Sequence, residues 1–164
     1  MNKRVFLKSA FAVVGTMGLF RALGLRNQAQ AAPDTAFEVT KTDEEWRTVL
    51  TPAQYTVLRQ HGTERSHSSA LNDQHAQGSY HCAACDLPLF ASETKFESGT
   101  GWPSFYAPIE GAIATTTDTS LFMTRVEVHC RRCGGHLGHV FDDGPAPTGQ
   151  RYCMNGVSLN FVAS

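Results

Sequence analysis

The chemistry-bearing residues of this chain are its five cysteines, and their spacing divides them four to one. Cys82-Ala83-Ala84-Cys85 and Cys130-Arg131-Arg132-Cys133 are two CxxC pairs. Two residues between sulfurs let one tight knuckle turn both thiolates toward a single ion, and two knuckles complete a tetrahedral four-sulfur site. Soft thiolates reject calcium and magnesium and suit zinc, with iron the other ion of that geometry. The long stretch between the knuckles is no obstacle, because loop-closure entropy grows slowly with length. Two local disulfides are the alternative, as is a redox pair at the second knuckle, where Arg131 and Arg132 would lower the thiol pKa.

Cys153 is left over, in Arg151-Tyr152-Cys153-Met154-Asn155. A lone thiol is more often a small buried hydrophobe than a nucleophile. Here Arg151 favours the thiolate, and His136, His139 and Asp143 lie just upstream in a Gly/Pro-rich stretch. A thiol and an imidazole that meet in space are the parts of nucleophilic catalysis. Each histidine alone also reads as a core residue bonded to backbone, and Trp102, Phe105 and Tyr152 as packing.

The elements that must position these residues are short. Thr42-Asp43-Glu44-Glu45 is a capping box, so a helix starts there. A second start falls at Thr51, with Pro52 in the first helical position and Gln54 three residues after the cap; Tyr55 and Leu58 share its buried face and Gly62 is its stop. Residues 61–77 are polar and without period, and read as a surface loop. From Ser79 onward short alternating runs broken by Gly, Pro, Asp and Asn predict an antiparallel sheet with one wet face. Leu121–Cys130 reads as the clearest strand, with Phe122, Thr124, Val126 and Val128 on one side and Met123, Arg125, Glu127 and His129 on the other. Val157, Leu159 and Phe161 alternate with Ser158, Asn160 and Val162 in a closing strand. The expected fold is mainly β, a single domain with short helices at its N-terminal edge.

Composition agrees with a single globular domain: 164 residues, 41% hydrophobic and 18% charged, which excludes collagen, coiled coil and a polytopic membrane protein. The formal net charge is −1, yet residues 1–33 hold five bases and no acid, so the body is acidic. An acidic body repels polyanions, and nucleic acid is not an expected partner. The basic start, the apolar run Ala10–Phe20 and the small residues Ala29 and Ala31 make an export signal, cut near Ala31 or Ala32. The run is short for a membrane span, and Arg21 sits badly in lipid. Asn2–Lys8 resembles a twin-arginine signal with Lys3 in the first arginine position. The expected organisation is a signal peptide at 1–32, a linker at 33–41 and a domain at 42–164, exported to a bacterial periplasm. A Sec route, an uncleaved membrane anchor and an organelle transit peptide are the alternatives.

Ser98-Gly99-Thr100-Gly101-Trp102-Pro103-Ser104-Phe105, His136-Leu137-Gly138-His139-Val140-Phe141, Gly144-Pro145, Pro147-Thr148-Gly149 and Arg151–Asn155, with both knuckles, resemble the B-type methionine sulfoxide reductases. The likeness runs from about Asp43 to Phe161. It implies two antiparallel sheets, one structural zinc held by Cys82, Cys85, Cys130 and Cys133 away from the chemistry, and reduction of the R epimer of methionine sulfoxide in proteins or peptides. By the family pattern Cys153 is the nucleophile and His139 the acid. His136, Asp143 and Asn155 hold the oxygen, the imidazole and a water; Arg151 holds the thiolate ready; Trp102 walls the substrate methyl group. The partners implied are oxidised proteins or peptides and a thioredoxin-like or other thiol reductant. A monomer is expected, with no stable membrane insertion once the leader is cut.

Many relatives carry a resolving cysteine where this chain has Thr100, so a one-cysteine cycle is expected, with an external thiol attacking oxidised Cys153. Gly156 stands where relatives often place serine, and reads as easing a bulge or a close backbone approach. A zinc-stabilised binding module would leave Cys153 and the two histidines unexplained. A zinc deaminase would need an HxE and a PCxxC that are absent.

Overall fold

The structure is a computed structural model that describes residues 37–120 and 123–164. The predicted leader therefore lies outside the described residues, as do Leu121 and Phe122. Two helices open the described chain, α1 (Asp43–Val49) and α2 (Pro52–Gln60). Both capping boxes form: Thr42 accepts from the Glu45 amide while Glu45 reaches back to the Thr42 amide, and Thr51 and Gln54 do the same. Helix α2 buries Tyr55, Val57 and Leu58. It ends one residue earlier than the glycine suggests: His61 takes the left-handed conformation at φ 55°, and Gly62 then donates to the Thr56 carbonyl.

Nine strands follow among the described residues: β1 (Gly78–Cys82), β2 (Pro88–Ala91), β3 (Lys95–Phe96), β4 (Ser104–Phe105), β5 (Ile113–Asp118), β6 (Arg125–Cys130), β7 (His136–Phe141), β8 (Arg151–Met154) and β9 (Leu159–Ala163). They form two antiparallel sheets, ordered β2-β1-β9 and β3-β4-β8-β7-β6-β5. The mainly β, two-sheet architecture expected from the sequence is the one found. Tyr80, Phe90 and Phe105 are fully buried at its centre, with Phe90 stacked on Phe105 at 4.4 Å and Tyr80 edge-on to the same ring at 4.8 Å. Trp46, Leu50, Tyr55 and Leu58 join the same core, so the helices pack on the sheets through their apolar stripes. No helix among the described residues is long and apolar enough to cross a membrane.

Three stretches differ in detail from the sequence expectation. Strand β6 begins at Arg125, with Met123 and Thr124 outside it; Asp118 accepts from the Ser120 amide and from the Arg125 guanidinium. Strand β9 begins at Leu159, because Gly156–Ser158 form a 3-10 turn. The polar segment 61–77 contains a 3-10 turn, Ala70–Asp73, and is more than a surface loop, since it is tied to the glycine-rich segment: the His67 amide donates to the Gly101 carbonyl at 2.7 Å.

Candidate active site and metal centre

Antiparallel pairing lays the chemistry-bearing residues in rows across the larger sheet. Thr116 faces Glu127, Glu127 faces His139, His139 faces Cys153, and Cys153 faces Ser104. Directly opposed residues share a face, so these five project to one side. Two residues along, on the same side, Asp118 faces Arg125 and Phe141 faces Arg151. The β7–β8 approach is close: a Cβ on Gly138 would stand 2.1 Å from the Cys153 carbonyl oxygen. Only glycine lets these strands bring His139 beside Cys153 at that spacing.

The Cys153 sulfur is half-buried, 3.9 Å from Thr100 Oγ1. Thr100 continues into a hydroxyl chain, through Ser98 at 2.8 Å to Ser104 at 2.7 Å. Burial pushes the Cys153 thiol pKa up, opposed by the Thr100 hydroxyl, the Arg151 charge and the Ser104 hydroxyl. Arg151 is locked in place: Asp143 accepts its Nε and Nη2 at 2.8 and 2.9 Å, and its guanidinium stacks 4.5 Å over the Phe141 ring. That bidentate bond holds the Asp143 carboxyl below the usual carboxylate range.

Each histidine has its own carboxylate. His139 donates from Nε2 to Asp118 Oδ2 at 2.8 Å, and Arg125 Nη2 reaches the same oxygen at 2.6 Å. The Ser120 amide and hydroxyl, then His139 and Arg125, hold Asp118 far below the usual carboxylate range. His136 donates from Nδ1 to Glu127 Oε1 at 2.7 Å. Burial pushes the His136 pKa down against the pull of Glu127. Burial also pushes Glu127 up, but hydrogen bonds from His136 and Thr116 outweigh it and keep the carboxyl below its ordinary value.

Of the residues singled out in the sequence, Cys153, His139, Trp102 and Asn155 line one cavity of about 140 Å³, with Thr63 and Arg125 among its other walls. His136 lines an adjoining cleft of about 650 Å³, and His139 stands between the two. Asp143 lines neither, and its bond is to Arg151 rather than to an imidazole. Asn155 is buried, donating from Nδ2 to the Leu137 carbonyl at 3.0 Å and accepting the Glu64 amide at 2.9 Å. Phe105 is core, and Tyr152 packs at the core's edge against Phe90.

Sequence reasoning missed Asp118, Glu127 and Glu64. Glu64 accepts from the Gly156 and Val157 amides through its carboxylate and from Trp102 Nε1 through its carbonyl. The loop thereby fastens Trp102 and the turn after Cys153 to one another. Gly156 permits a close approach to a side chain: a Cβ there would stand 1.9 Å from Ser69 Oγ.

The two knuckles meet at a junction between the sheets. Cys82 ends β1 in the smaller sheet and Cys130 ends β6 in the larger, with Cys85 and Cys133 in the turns that follow. All four sulfurs lie within 4.8 Å of one another, with Cys82 to Cys133 at 3.7 Å and Cys85 to Cys130 at 3.5 Å. A tetrahedron of thiolates about 2.3 Å from zinc has sulfur–sulfur edges of about 3.8 Å. A disulfide needs about 2.05 Å, and all four cysteines are free. The sulfurs thus fit one structural zinc ion that joins the two sheets.

Comparison with known proteins agrees with this geometry. The SelR domain matches residues 50–163. The chain is 63% identical over 124 residues to the peptide methionine sulfoxide reductase MsrB of Methanosarcina barkeri, covering 75% of this chain and 87% of the relative. It is 59% identical over 126 residues to that of Methanosarcina mazei, covering 76% and 90%, and 58% identical over 125 residues to that of Pseudomonas putida strain W619, covering 76% and 94%. The chain belongs to the B-type methionine sulfoxide reductases. In this member of the family the residue against the Cys153 sulfur is Thr100, and the other four cysteines are gathered at the metal centre.

Proposed function

We propose that the protein reduces the R epimer of methionine sulfoxide in oxidised proteins and peptides, with Cys153 as nucleophile and His139 as acid. The observation that carries this reading is the cross-strand pairing of Cys153 with His139 at a 140 Å³ cavity walled by Trp102. That volume is below the roughly 300 Å³ at which sites for whole small molecules begin, and suits the end of one side chain. Trp102, Phe141 and Cys153 keep part of their surface exposed, as a protruding peptide side chain requires.

The Cys153 thiolate attacks the sulfoxide sulfur while the oxygen takes a proton from His139. The oxygen passes to Cys153, methionine leaves as the thioether, and Cys153 is left as a sulfenic acid. The substrate sulfur is reduced by two electrons and the cysteine sulfur is oxidised by two. Arg151, fixed by Asp143, stabilises the thiolate before attack. Asp118 orients His139, Glu127 orients His136, and Asn155 and Trp102 shape the wall. Two thiols of an external reductant then return Cys153 to the thiol, leaving as a disulfide with release of water. Zinc supplies structure, not electrons.

The test is thiol-dependent turnover of the separated sulfoxide epimers of a blocked methionine. Turnover of the R epimer alone, abolished in Cys153→Ser and strongly reduced in His139→Ala, is expected. Turnover that survives Cys153→Ser would overturn the reading.

We infer further that residues 1–32 are an export signal, 33–41 a linker and 42–164 the catalytic domain, working as a monomer in the periplasm or outside the cell. The support is the basic, acid-free start with its apolar run and small-residue site. Cell fractionation with N-terminal sequencing tests it. Recovery from the cytosol alone, with an intact N-terminus, would overturn it.

A further inference from the structure

The cleft beside the reaction pocket holds a cluster with one imidazole, His61, to which sulfoxide reduction gives no role. Glu127 Oε1 accepts from His136 Nδ1 at 2.7 Å, and His61 Nδ1 lies 3.0 Å from the same oxygen. One ligand atom from each of His61, Glu127 and His136 lies within 4.8 Å of the other two. A carboxylate that only had to orient His136 needs one imidazole. The second arrives from the end of α2, where His61 adopts φ 55° at a position ordinarily given to glycine or asparagine.

The geometry points to a second metal site, in which His61, Glu127 and His136 bind a divalent transition ion of the zinc, nickel, cobalt or copper class. Nitrogen and oxygen ligands about 2.1 Å from such an ion, at right angles to one another, are about 3.0 Å apart. The nitrogen–oxygen separations here, 2.7 and 3.0 Å, are close to that edge, so an ion can enter among the three ligands with a modest adjustment of their side chains. Two imidazoles and one carboxylate suit borderline ions and are poor ligands for magnesium or calcium. Thr116 donates to the other Glu127 oxygen at 2.9 Å and holds the carboxylate in orientation, the kind of outer partner that ligating groups use. The 650 Å³ cleft leaves room for water on the open side of the ion. Arg125, which also lines the cleft, is bonded to Asp118. The site is separate from the four-cysteine centre and shares no ligand with it.

Calorimetric titration of nickel into the full chain, already loaded with one equivalent of zinc and free of any polyhistidine tag, tests the proposal. One further equivalent is expected to bind in the micromolar range, at least about tenfold more weakly in His61→Ala and in Glu127→Gln. His61 is exposed, so its variant is expected to fold as the parent does, and thermal melting without added nickel checks this. Absence of a second equivalent, or a second equivalent unaffected by both substitutions, would overturn the site. Neither result depends on sulfoxide turnover, so failure of the reductase reading would be seen separately.

Discussion

His139 Nε2 and Arg125 Nη2 converge on a single oxygen of Asp118, at 2.8 and 2.6 Å. One carboxylate at the end of β5 therefore fixes the ring of the proposed acid and the cation beside the reaction pocket together. Asp118 does not line the Cys153 cavity, which makes it a positioning residue. Asp118→Asn keeps the shape and weakens the acceptor, so the expected result is a fall in kcat of about 10- to 100-fold with KM nearly unchanged. An altered pH dependence of kcat at unaltered melting temperature would separate this from loss of structure. Full activity in Asp118→Asn would remove the residue from the mechanism.

Burial raises the Cys153 pKa, and the Thr100 hydroxyl and Arg151 oppose that rise without cancelling it. The free enzyme therefore holds mostly thiol at neutral pH, and the thiolate fraction grows as pH rises. Alkylation of Cys153 by iodoacetamide in zinc-loaded protein should have its midpoint above the ordinary thiol value of about 8.5. In Arg151→Ala the favourable charge is gone and the midpoint should move higher still. A midpoint below the ordinary value would show that the site favours the thiolate before substrate arrives.

The legible parts of this protein are those whose partners are close in sequence. Thr42 with Glu45 and Thr51 with Gln54 satisfy amides within one helical turn, so the residue types alone predict both helix starts. Each CxxC knuckle is likewise local. His139 and Cys153 stand out in short motifs, but their meeting depends on the pairing of β7 with β8, and a one-residue slip would turn them to opposite faces. Asp118, Glu127 and Glu64 carry no local signal. Asp118 and Glu127 acquire their roles from register across β5, β6 and β7, and Glu64 from a polar segment folding over the turn after Cys153. The one clue is alternation in β6, which puts Arg125, Glu127 and His129 on one face without saying what that face meets.

The zinc joins β1 of one sheet to β6 of the other, so its loss should be felt across the sheet junction. Apparent binding energies of about 10–16 kcal/mol for four-ligand zinc sites are comparable with the whole stability of a domain, about 5–15 kcal/mol. Cys133→Ser or exhaustive chelation is therefore expected to lower the melting temperature by tens of degrees or abolish the cooperative transition, with loss of near-ultraviolet circular dichroism. One equivalent of zinc should restore the chelated wild-type protein and not the variant. A chelated protein with an unchanged melting curve would show that the two-sheet core stands without the ion.

Thr100 Oγ1 lies 3.9 Å from Cys153 Sγ, which places residue 100 within reach of a disulfide to the nucleophile. In the wild type no second thiol is free at this site, so the sulfenic acid formed in one turnover should persist and be trapped by a sulfenic-acid reagent such as dimedone. Thr100→Cys supplies a resolving thiol: its thiolate attacks the Cys153 sulfenic acid, water leaves, and a disulfide forms. Mass spectrometry after a single turnover is then expected to show a disulfide between the introduced thiol and Cys153 in the variant, and a trapped adduct in the wild type. The variant should also gain activity with a dithiol redox protein as reductant. A wild-type protein that instead forms a disulfide between Cys153 and one of Cys82, Cys85, Cys130 or Cys133 would show that the metal centre lends a ligand to the cycle, and the one-cysteine mechanism would fall.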